Sequence, residues 1–462
     1  MGKLKINPLS DLGKHSPKDV QLKRVLGLWD VIFYGIILIQ PIAAIGLFGI
    51  ASKISKGHMV TTLLIAMVAM MLTAISYGRM ASIYPSAGSA YSYVGKGLNV
   101  HFGFLAGWAM FLDYLLVPII NTIYGSLTLH RLMPFVPFFA WVILFVFIIT
   151  FLNLRGIKTT ARSNQILLAI MTVIIGVFIV LAIKYIFRNQ GFSGIFSMKP
   201  FYNPETFDFK SVMMATSFAA LTYIGFDGVT TLAEEVKNPK RNMLLAPILV
   251  CLFTGLFSIL QIYLAQQVSP NYDAFPNIET AFYDVSAMVG GKFLFNAVAV
   301  ILFIACLGSG MAGQVGAARL LFGMGRDGIL PKKIFAYLDS KSLTPTYNVI
   351  ILGVLTIIGS MLLSYQRTAE LLNFGAFLAF MAVNIATFRQ FFFLRPQGEK
   401  RNYLSDIVLP ALGFGVCFFI WINLPAPSKI AGGIWFLIGL VYLIIRTRGF
   451  KQKPVMLDFK ED

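Results

Sequence analysis

Residues 28–51 read LWDVIFYGIILIQPIAAIGLFGIA, a run in which Asp30 is the one charged residue. A hydrocarbon core about 30 Å thick is crossed by roughly 20 apolar residues in a helix, so the run is predicted to span a membrane. Its middle holds Gln40-Pro41, and proline removes a backbone donor and clashes with the preceding helical turn. We therefore expect this helix to be interrupted about halfway across the bilayer.

The rest of the chain repeats this apolar pattern. Of its 462 residues, 57% are hydrophobic and 13% are charged, a balance that a soluble domain could not cover with polar surface. The longest connections are too short for a separate folded domain. The sequence predicts an all-α membrane protein with twelve transmembrane helices, called spans 1 to 12: 28–51, 57–78, 102–127, 136–153, 164–187, 212–234, 243–267, 291–322, 346–364, 369–391, 407–423 and 431–446.

Span 6 has an interruption that matches the one in span 1. Its sequence Gly225-Phe226-Asp227-Gly228 contains two glycines, which lower the cost of irregular backbone dihedrals. Spans 1 and 6 are the first helices of two successive groups of five. Irregular backbone is tolerated inside a bilayer where it lines a solute cavity, so the paired breaks predict a binding site. A simple kink in each helix is the alternative.

The basic residues predict the orientation of the chain. Its net charge is +18, but Lys and Arg are spread over the loops and do not form the one-sided patch of a nucleic-acid-binding protein. With the N-terminus inside, 28 of the 38 Lys and Arg fall on the inner side, as the positive-inside rule requires. We expect a multi-pass protein of the cytoplasmic membrane, with cytoplasmic tails at 1–27 and 447–462 and one transmembrane domain at 28–446.

The sequence contains no pattern typical of a cofactor, metal or catalytic site. Cys251, Cys306 and Cys417 lie inside apolar stretches without CxxC spacing and are predicted to be packing residues. The letters GMGRDG at 323–328 follow a span and not a strand, so they do not form a dinucleotide-binding motif. We predict no cofactor, no metal and no enzymatic activity. The lack of a repeated charged ring also argues against a channel.

Two acidic residues inside the spans are the main functional candidates. A charge at the centre of a membrane helix costs about 2.5–3.5 kcal/mol on insertion scales, so Asp113 and Asp227 are expected to have a function. Asp227 is predicted to attract an ammonium group, or alternatively to cap the second half of span 6. Asp113 shares a helix face with Asn121 and is a candidate proton carrier, as is Asp227. A buried hydrogen bond to another helix is the alternative for Asp113.

Three motifs resemble those of the amino acid-polyamine-organocation (APC) family of permeases. Span 6 and its exit carry the longest, Tyr223-Ile-Gly-Phe-Asp227-Gly followed by LAEEVKNPKR at 232–241. The segments 84–93 after span 2 and 309–331 at the end of span 8 agree with it, so the resemblance covers essentially the whole chain. Within the family the sequence is most similar to bacterial putrescine importers, at residues 74–78, 112–115 and 225–232.

The resemblance implies ten core helices in a five-plus-five inverted repeat, as in leucine-transporter-like folds, with two peripheral helices and a solute held between the breaks. The chain departs from the family in span 1, where many amino acid permeases have Gly-x-Gly and this chain has Pro41-Ile42-Ala43. Pro41 has no amide to offer a substrate carboxylate, which favours a diamine. Some proton-coupled members have a lysine in span 5 where this chain has Met171, so a proton must be carried elsewhere.

Other residues near the breaks complete the predicted site. Amide and phenol groups orient an ammonium, and tyrosine rings attract it. Ser309 is a weak sodium candidate, because serine also permits close helix packing. Glu234 and Glu235 are predicted to form a solvated ionic cluster, with a gate as the alternative. The predicted solute-binding residues are Gln40, Pro41, Ile42, Ala43, Ala44, Tyr114, Asn121, Tyr223, Gly225, Phe226 and Asp227.

The sequence therefore predicts a secondary active transporter that moves an amino acid or polyamine by alternating access. The favoured function is proton-coupled import of an amine-bearing solute such as putrescine. A neutral or cationic amino acid permease or exchanger is the alternative, and a transporter-like sensor would share the same sequence features. The expected partners are the small-molecule solute, a proton and the lipid bilayer, with no nucleic acid.

Overall fold

The computed structural model describes residues 24–40, 42–85, 89–155, 161–233, 235–326, 330–339, 344–394 and 401–452. Within these ranges the chain is helical, and its one β-type contact is an isolated parallel bridge between Leu26 and Val236. The α-helices are α1 (Leu28–Ile39), α2 (Ala43–Ile54), α3 (Met59–Ile83), α4 (Ser89–Gly97), α5 (Val100–Leu132), α6 (Phe138–Leu154), α7 (Ala161–Ile195), α8 (Phe209–Ala219), α9 (Pro239–Val268), α10 (Ala281–Arg326), α11 (Lys332–Phe335), α12 (Thr346–Leu362), α13 (Tyr365–Phe388), α14 (Leu409–Ile422) and α15 (Ala426–Arg446).

Most of these helices are long and apolar enough to cross a membrane. Nine helices in the described ranges meet that condition, and α1 with α2, bent by 49°, would make a tenth. The apolar helices α6 and α12 are shorter. Large apolar side chains on outward faces, such as Phe147, Val180 and Leu437, are exposed. Such a surface is suited to lipid, since a soluble monomer seldom exposes broad apolar patches.

Parts of three predicted connections are helical. The connection 79–101 contains α4, the connection 268–290 contains the beginning of α10, and α7 extends to Ile195. Helix α7 turns at Gly191, whose φ angle is 70°, and helix α10 turns at Gly291, whose φ angle is 62°. Polar residues in these stretches conceal the helices from a search for apolar runs, because short helices at a membrane surface need only one apolar face.

Both predicted interruptions are present. The first helix of span 1 ends at Ile39 and the second begins at Ala43, and between them Gln40 has φ 68° and ψ 121°. In span 6, α8 gives way to the 3-10 turn Ala220–Tyr223, and a second 3-10 turn, Asp227–Leu232, follows. Between the two turns the backbone is irregular, and Gly225 has φ 116°. That angle favours glycine, because a Cβ atom would clash with the backbone.

The two breaks lie against each other. A Cβ atom at Gly225 would lie 3.3 Å from Ile39 Cγ1, so the lack of a side chain lets the end of α1 approach span 6. On one side of the breaks, α1 packs on α9 and on the 3-10 turn that begins at Asp227. On the other side, α2 packs on α8. The beginning of span 1 and the end of span 6 are also joined through their backbones, since Leu26 N donates to Glu235 O and Lys237 N donates to Leu26 O.

Candidate functional site

A cavity of about 390 Å³ lies beside the two breaks. Its walls are formed by α1, α2, α5, α7, α10, α13 and the irregular segment of span 6. Local backbone irregularity is what turns the ends of the half-helices toward this space. The cavity brings together most of the residues singled out in the sequence: Gln40, Ile42, Ala43, Asp113, Tyr114, Asn121, Gly225, Asp227 and Ser309.

Three predicted binding residues do not line the cavity, and a fourth, Pro41, lies outside the described residues. Ala44 is buried in the packing of α2. Tyr223 and Phe226 lie on the opposite side of the break from Gly225 and Asp227. The Tyr223 hydroxyl donates a 2.9 Å hydrogen bond to the carbonyl oxygen of a residue in α3, and the Phe226 ring packs among buried aromatic rings. The structure gives these side chains a packing role.

Asp227 is held by the irregular backbone itself. Its side chain is 5% exposed, and its carboxylate accepts hydrogen bonds from the amides of Gly225, Asp227 and Gly228. Asp227 is the first residue of the second 3-10 turn, a position where a negative charge is favourable. The same carboxylate also faces the cavity, so capping and attraction of a cation are compatible. The amides that it occupies are the ones that an anionic group of a solute would otherwise use.

Asp113 has no comparable set of donors. Its side chain is 8% exposed, and Oδ1 is buried with no hydrogen-bond partner in the described part of the chain. The nearby amide groups are engaged elsewhere: Gln40 Nε2 donates to Ala305 O at 3.0 Å, and Asn121 Nδ2 donates to Val117 O at 2.8 Å. A buried carboxyl oxygen without a donor is costly. Asp113 therefore presents a strong hydrogen-bond acceptor to the cavity.

The cavity has two acidic side chains in its wall. Asp113 and Asp227 line it, and among the described residues that line it there is no Lys, Arg or His. Its other polar groups are chiefly phenols, since Tyr34, Tyr124 and Tyr365 join Tyr114. A site with two carboxyls, tyrosine rings and no basic side chain is suited to a cation. The cation can pair with the carboxyls and is attracted by the faces of the tyrosine rings.

Sequence reasoning missed three of these tyrosines. Tyr124 follows Asn121 by three residues and so continues the polar face of α5, a spacing that could have identified it. Tyr34 stands in an apolar run and Tyr365 in the polar connection between spans 9 and 10, and neither has a local signal. Cys306, predicted to be a packing residue, is buried but also lines the cavity. Met171 is among the lining residues as well.

The cavity is open on one side and closed on the other. Tyr34 and Leu38 in α1 are each 39% exposed, whereas Tyr124 and Tyr365 are 3% and 6% exposed. The closed end is tight at Gly46 in α2, where a Cβ atom would lie 2.9 Å from Tyr365 Oη. The opening therefore lies on the α1 side, and the seal lies on the α2 side.

Two weaker predictions have specific positions. Ser309 Oγ accepts a 3.1 Å hydrogen bond from Asn121 Nδ2, so the hydroxyl links α10 to α5. At the end of span 6, the carbonyl of Glu235 accepts hydrogen bonds from Val25 N and Leu26 N. Glu234 lies outside the described residues. The sodium site and the ionic cluster both stay predictions.

Comparison with known proteins gives a consistent result. A family model described as amino acid permease matches residues 26–456. The chain is 33% identical to the low-affinity putrescine importer PlaP of Escherichia coli K12, over 94% of this chain and 96% of that protein. It is 28% identical to the branched-chain amino acid permease BcaP of Lactococcus lactis, over 96% and 99%. It is 27% identical to the vacuolar cationic amino acid transporter 4 of Arabidopsis thaliana, over 79% and 63%.

Proposed function

Because the chain belongs to the amino acid permease family, we propose that this multi-pass membrane transporter imports an amine-bearing solute such as putrescine, and that a proton drives the import. The favoured solute is a polyamine. The alternative is a neutral or cationic amino acid, which the names of two similar proteins support.

The observation that carries the choice of solute is the charge of the cavity. Asp113 and Asp227 face it, and no basic side chain lines it within the described ranges. An ammonium group brings a positive charge and three donors, so it complements carboxylate oxygens directly. Putrescine is also the solute named for the E. coli relative. Polyamine import therefore fits both the electrostatics and the family.

The state of the break argues against an amino acid as the favoured solute. An amino acid has a carboxylate as well as an ammonium group, and unwound transporter helices bind such carboxylates through free amides. Here the amides of Gly225, Asp227 and Gly228 donate to the Asp227 carboxylate. In the other break, position 41 is proline, which has no amide hydrogen. A solute carboxylate would thus meet few backbone donors.

We also propose that Asp113 and Asp227 are the groups that carry the coupling proton. Buried acidic residues that face a cavity are the usual proton carriers of membrane transporters. Asp113 has the stronger claim, because its Oδ1 lacks a hydrogen-bond donor in the described structure. Met171 lines the cavity and cannot titrate.

The proposed architecture follows the family pattern. Spans 1 to 10 would form two inverted repeats of five helices, spans 11 and 12 would be peripheral, and solute would move by alternating access. Residues 1–27 and 447–462 would be cytoplasmic tails of a single transmembrane domain in the cytoplasmic membrane, since Lys and Arg are concentrated on that side. With this orientation the α1 side of the cavity faces inward, and the α2 side faces outward.

The test is uptake by the purified protein in liposomes. Labelled putrescine should enter, and unlabelled polyamines should compete better than a panel of neutral and cationic amino acids. An imposed inward pH gradient should raise accumulation. Uptake of amino acids without competition by putrescine would refute the polyamine proposal. Uptake that follows sodium or counter-solute and ignores the pH gradient would refute proton coupling, and absence of any flux would favour a sensor.

A further inference from the structure

One histidine links the turn after the outer half of span 1 to the segment before the outer half of span 6. α2, the outer half of span 1, is followed by the turn 55–58, and His58 directly precedes α3. The segment 201–208 leads into α8, the outer half of span 6. His58 contacts this segment at Asn203 and Phe207. We call the contact of these three residues the outer clasp.

His58 is fully buried, and both of its ring nitrogens are engaged by backbone groups. The amide N–H of Asn203 donates to Nε2 at 3.0 Å, so Nε2 is the acceptor. Nδ1 lies 3.0 Å from the carbonyl oxygen of Ser55 and must therefore carry the hydrogen. The ring also meets the Phe207 ring edge to face, with centroids 5.3 Å apart. These contacts specify the neutral imidazole.

Protonation would break this arrangement. An imidazolium has hydrogen on both nitrogens, so Nε2–H would point at the N–H of Asn203 and the acceptor would be lost. Loss of the clasp would free the segment that leads into α8. The opposite end of α8 leads to the break that contains Asp227.

We propose that His58 is a positioning residue that keeps the outer side of the cavity closed while it is neutral, and that its protonation by external acid loosens the outer clasp and favours outward opening. This inference deepens the proposed function, because it relies on the orientation proposed above. It adds a second acid-sensitive group, distinct from the carboxyls that carry the coupled proton, and this group regulates access to the cavity.

The charged groups around the outer clasp are paired with each other or exposed to solvent. On its own turn Lys56 pairs with Asp208 at 3.9 Å, and Lys53 pairs with Asp273 of the segment after α9 at 3.7 Å. Glu205 lies in the segment before α8 and is exposed. Hydrogen bonds from Ser211 lower the pKa of Asp208, so Asp208 stays charged between pH 5 and pH 8.

The neighbouring anchors are insensitive to pH in this range. The Thr61 hydroxyl donates to Phe201 O at 2.5 Å, and Gln266 Nε2 of α9 donates to Gly57 O at 2.7 Å. Protonation would thus release the contacts of Asn203 and Phe207 and leave the rest of this surface attached.

Thiol labelling tests the inference without relying on transport. Cys306 lines the cavity below the seal, and Cys251 and Cys417 are replaced by Ala. A membrane-impermeant maleimide is added outside intact cells at pH 7.5 and at pH 5.5. The rate is compared with that of His58→Gln in the same background, since glutamine can still donate and accept but does not titrate near neutral pH. This ratio cancels the effect of pH on the thiol itself.

The measured quantity is the labelling rate of the His58 protein divided by that of the His58→Gln protein. We expect this ratio to rise about 3- to 10-fold when the pH is lowered from 7.5 to 5.5. That is the change expected from the loss of one buried hydrogen bond, about 3- to 10-fold in an equilibrium constant. The matched control is His130→Gln, because His130 lies at the outer end of α5 and bonds to Val136 O. The ratio of unsubstituted to His130→Gln protein should not change. His58→Asn replaces His58→Gln if the latter does not fold.

A ratio that is constant or falls with acid would overturn the role of His58. That failure is distinct from failure of the proposed function, since putrescine uptake in liposomes is measured separately. If uptake is found, its rate at external pH 5.5 relative to pH 7.5 should be lower in His58→Gln than in the unsubstituted protein. If no amine enters, labelling of Cys306 still reports whether the outer clasp opens with acid.

Discussion

Asp227→Asn isolates the charge of the break from its shape. The substitution keeps the size of the side chain and one acceptor oxygen, but its NH₂ group replaces one of the two oxygens of a carboxylate that accepts from the amides of Gly225, Asp227 and Gly228. A hydrogen bond to a charged group is worth about 1.5–3 kcal/mol. We therefore expect putrescine affinity to fall about 10- to 100-fold. Stability should fall by about 1–2 kcal/mol, the penalty of one unsatisfied buried group.

The assay measures competition against labelled putrescine in liposomes and thermal unfolding of the same preparation. Asp273→Asn is the matched control, because Asp273 is exposed on the outer surface and its ion pair with Lys53 is solvated. Asp227→Glu, which keeps the charge, should retain more affinity than Asp227→Asn. Unchanged affinity in a folded Asp227→Asn protein would refute the reasoning, since the carboxylate would then act only as a helix cap.

Two further predictions concern the seal and the helix packing. Gly46→Val places a Cβ atom 2.9 Å from Tyr365 Oη. It should therefore weaken the outer seal and raise the rate at which external maleimide labels Cys306; unchanged labelling would contradict the seal. Asp406→Asn removes the carboxylate that pairs with Arg79, and both side chains are largely buried. The free energy of unfolding should fall by about 3 kcal/mol, measured in detergent by denaturation, and a loss under 1 kcal/mol would contradict the pairing.

The features that the sequence predicted are those with local causes. Apolar runs of membrane length identified the helices, and proline or glycine within such runs identified the breaks at Gln40 and Gly225. These residues change backbone preference through their own covalent structure, so their effect is visible without knowledge of neighbours. The same applies to Asp113 and Asp227, because a charge in an apolar span is informative wherever the helix packs.

What the sequence could not give is the direction in which side chains point. A regular helix has a period of 3.6 residues, but the φ of 116° at Gly225 breaks that period. Tyr223 and Phe226, predicted to bind solute, are thereby placed in the packing against α3 and its neighbours. Tyr365 reaches the cavity from α13, and only tertiary packing decides this. Contacts between distant segments have no signature in one sequence.

The hydrogen-bond donors around the cavity provide the strongest argument for its selectivity. Gln40 Nε2 and Asn121 Nδ2 donate to main-chain oxygens, and the amides of the span 6 break donate to Asp227. The groups left to a solute are chiefly the oxygens of the carboxyls, the phenols and the Ser309 hydroxyl, of which the hydroxyl groups can also donate. An ammonium group only donates hydrogen bonds, so it can pair with these oxygens. A carboxylate only accepts hydrogen bonds, and the amide donors that it would need are already bonded within the protein. We therefore expect the site to favour amines both by the direction of its hydrogen bonds and by its acidic side chains. Mutation of the aspartates should remove the electrostatic preference more completely than the preference set by hydrogen bonding.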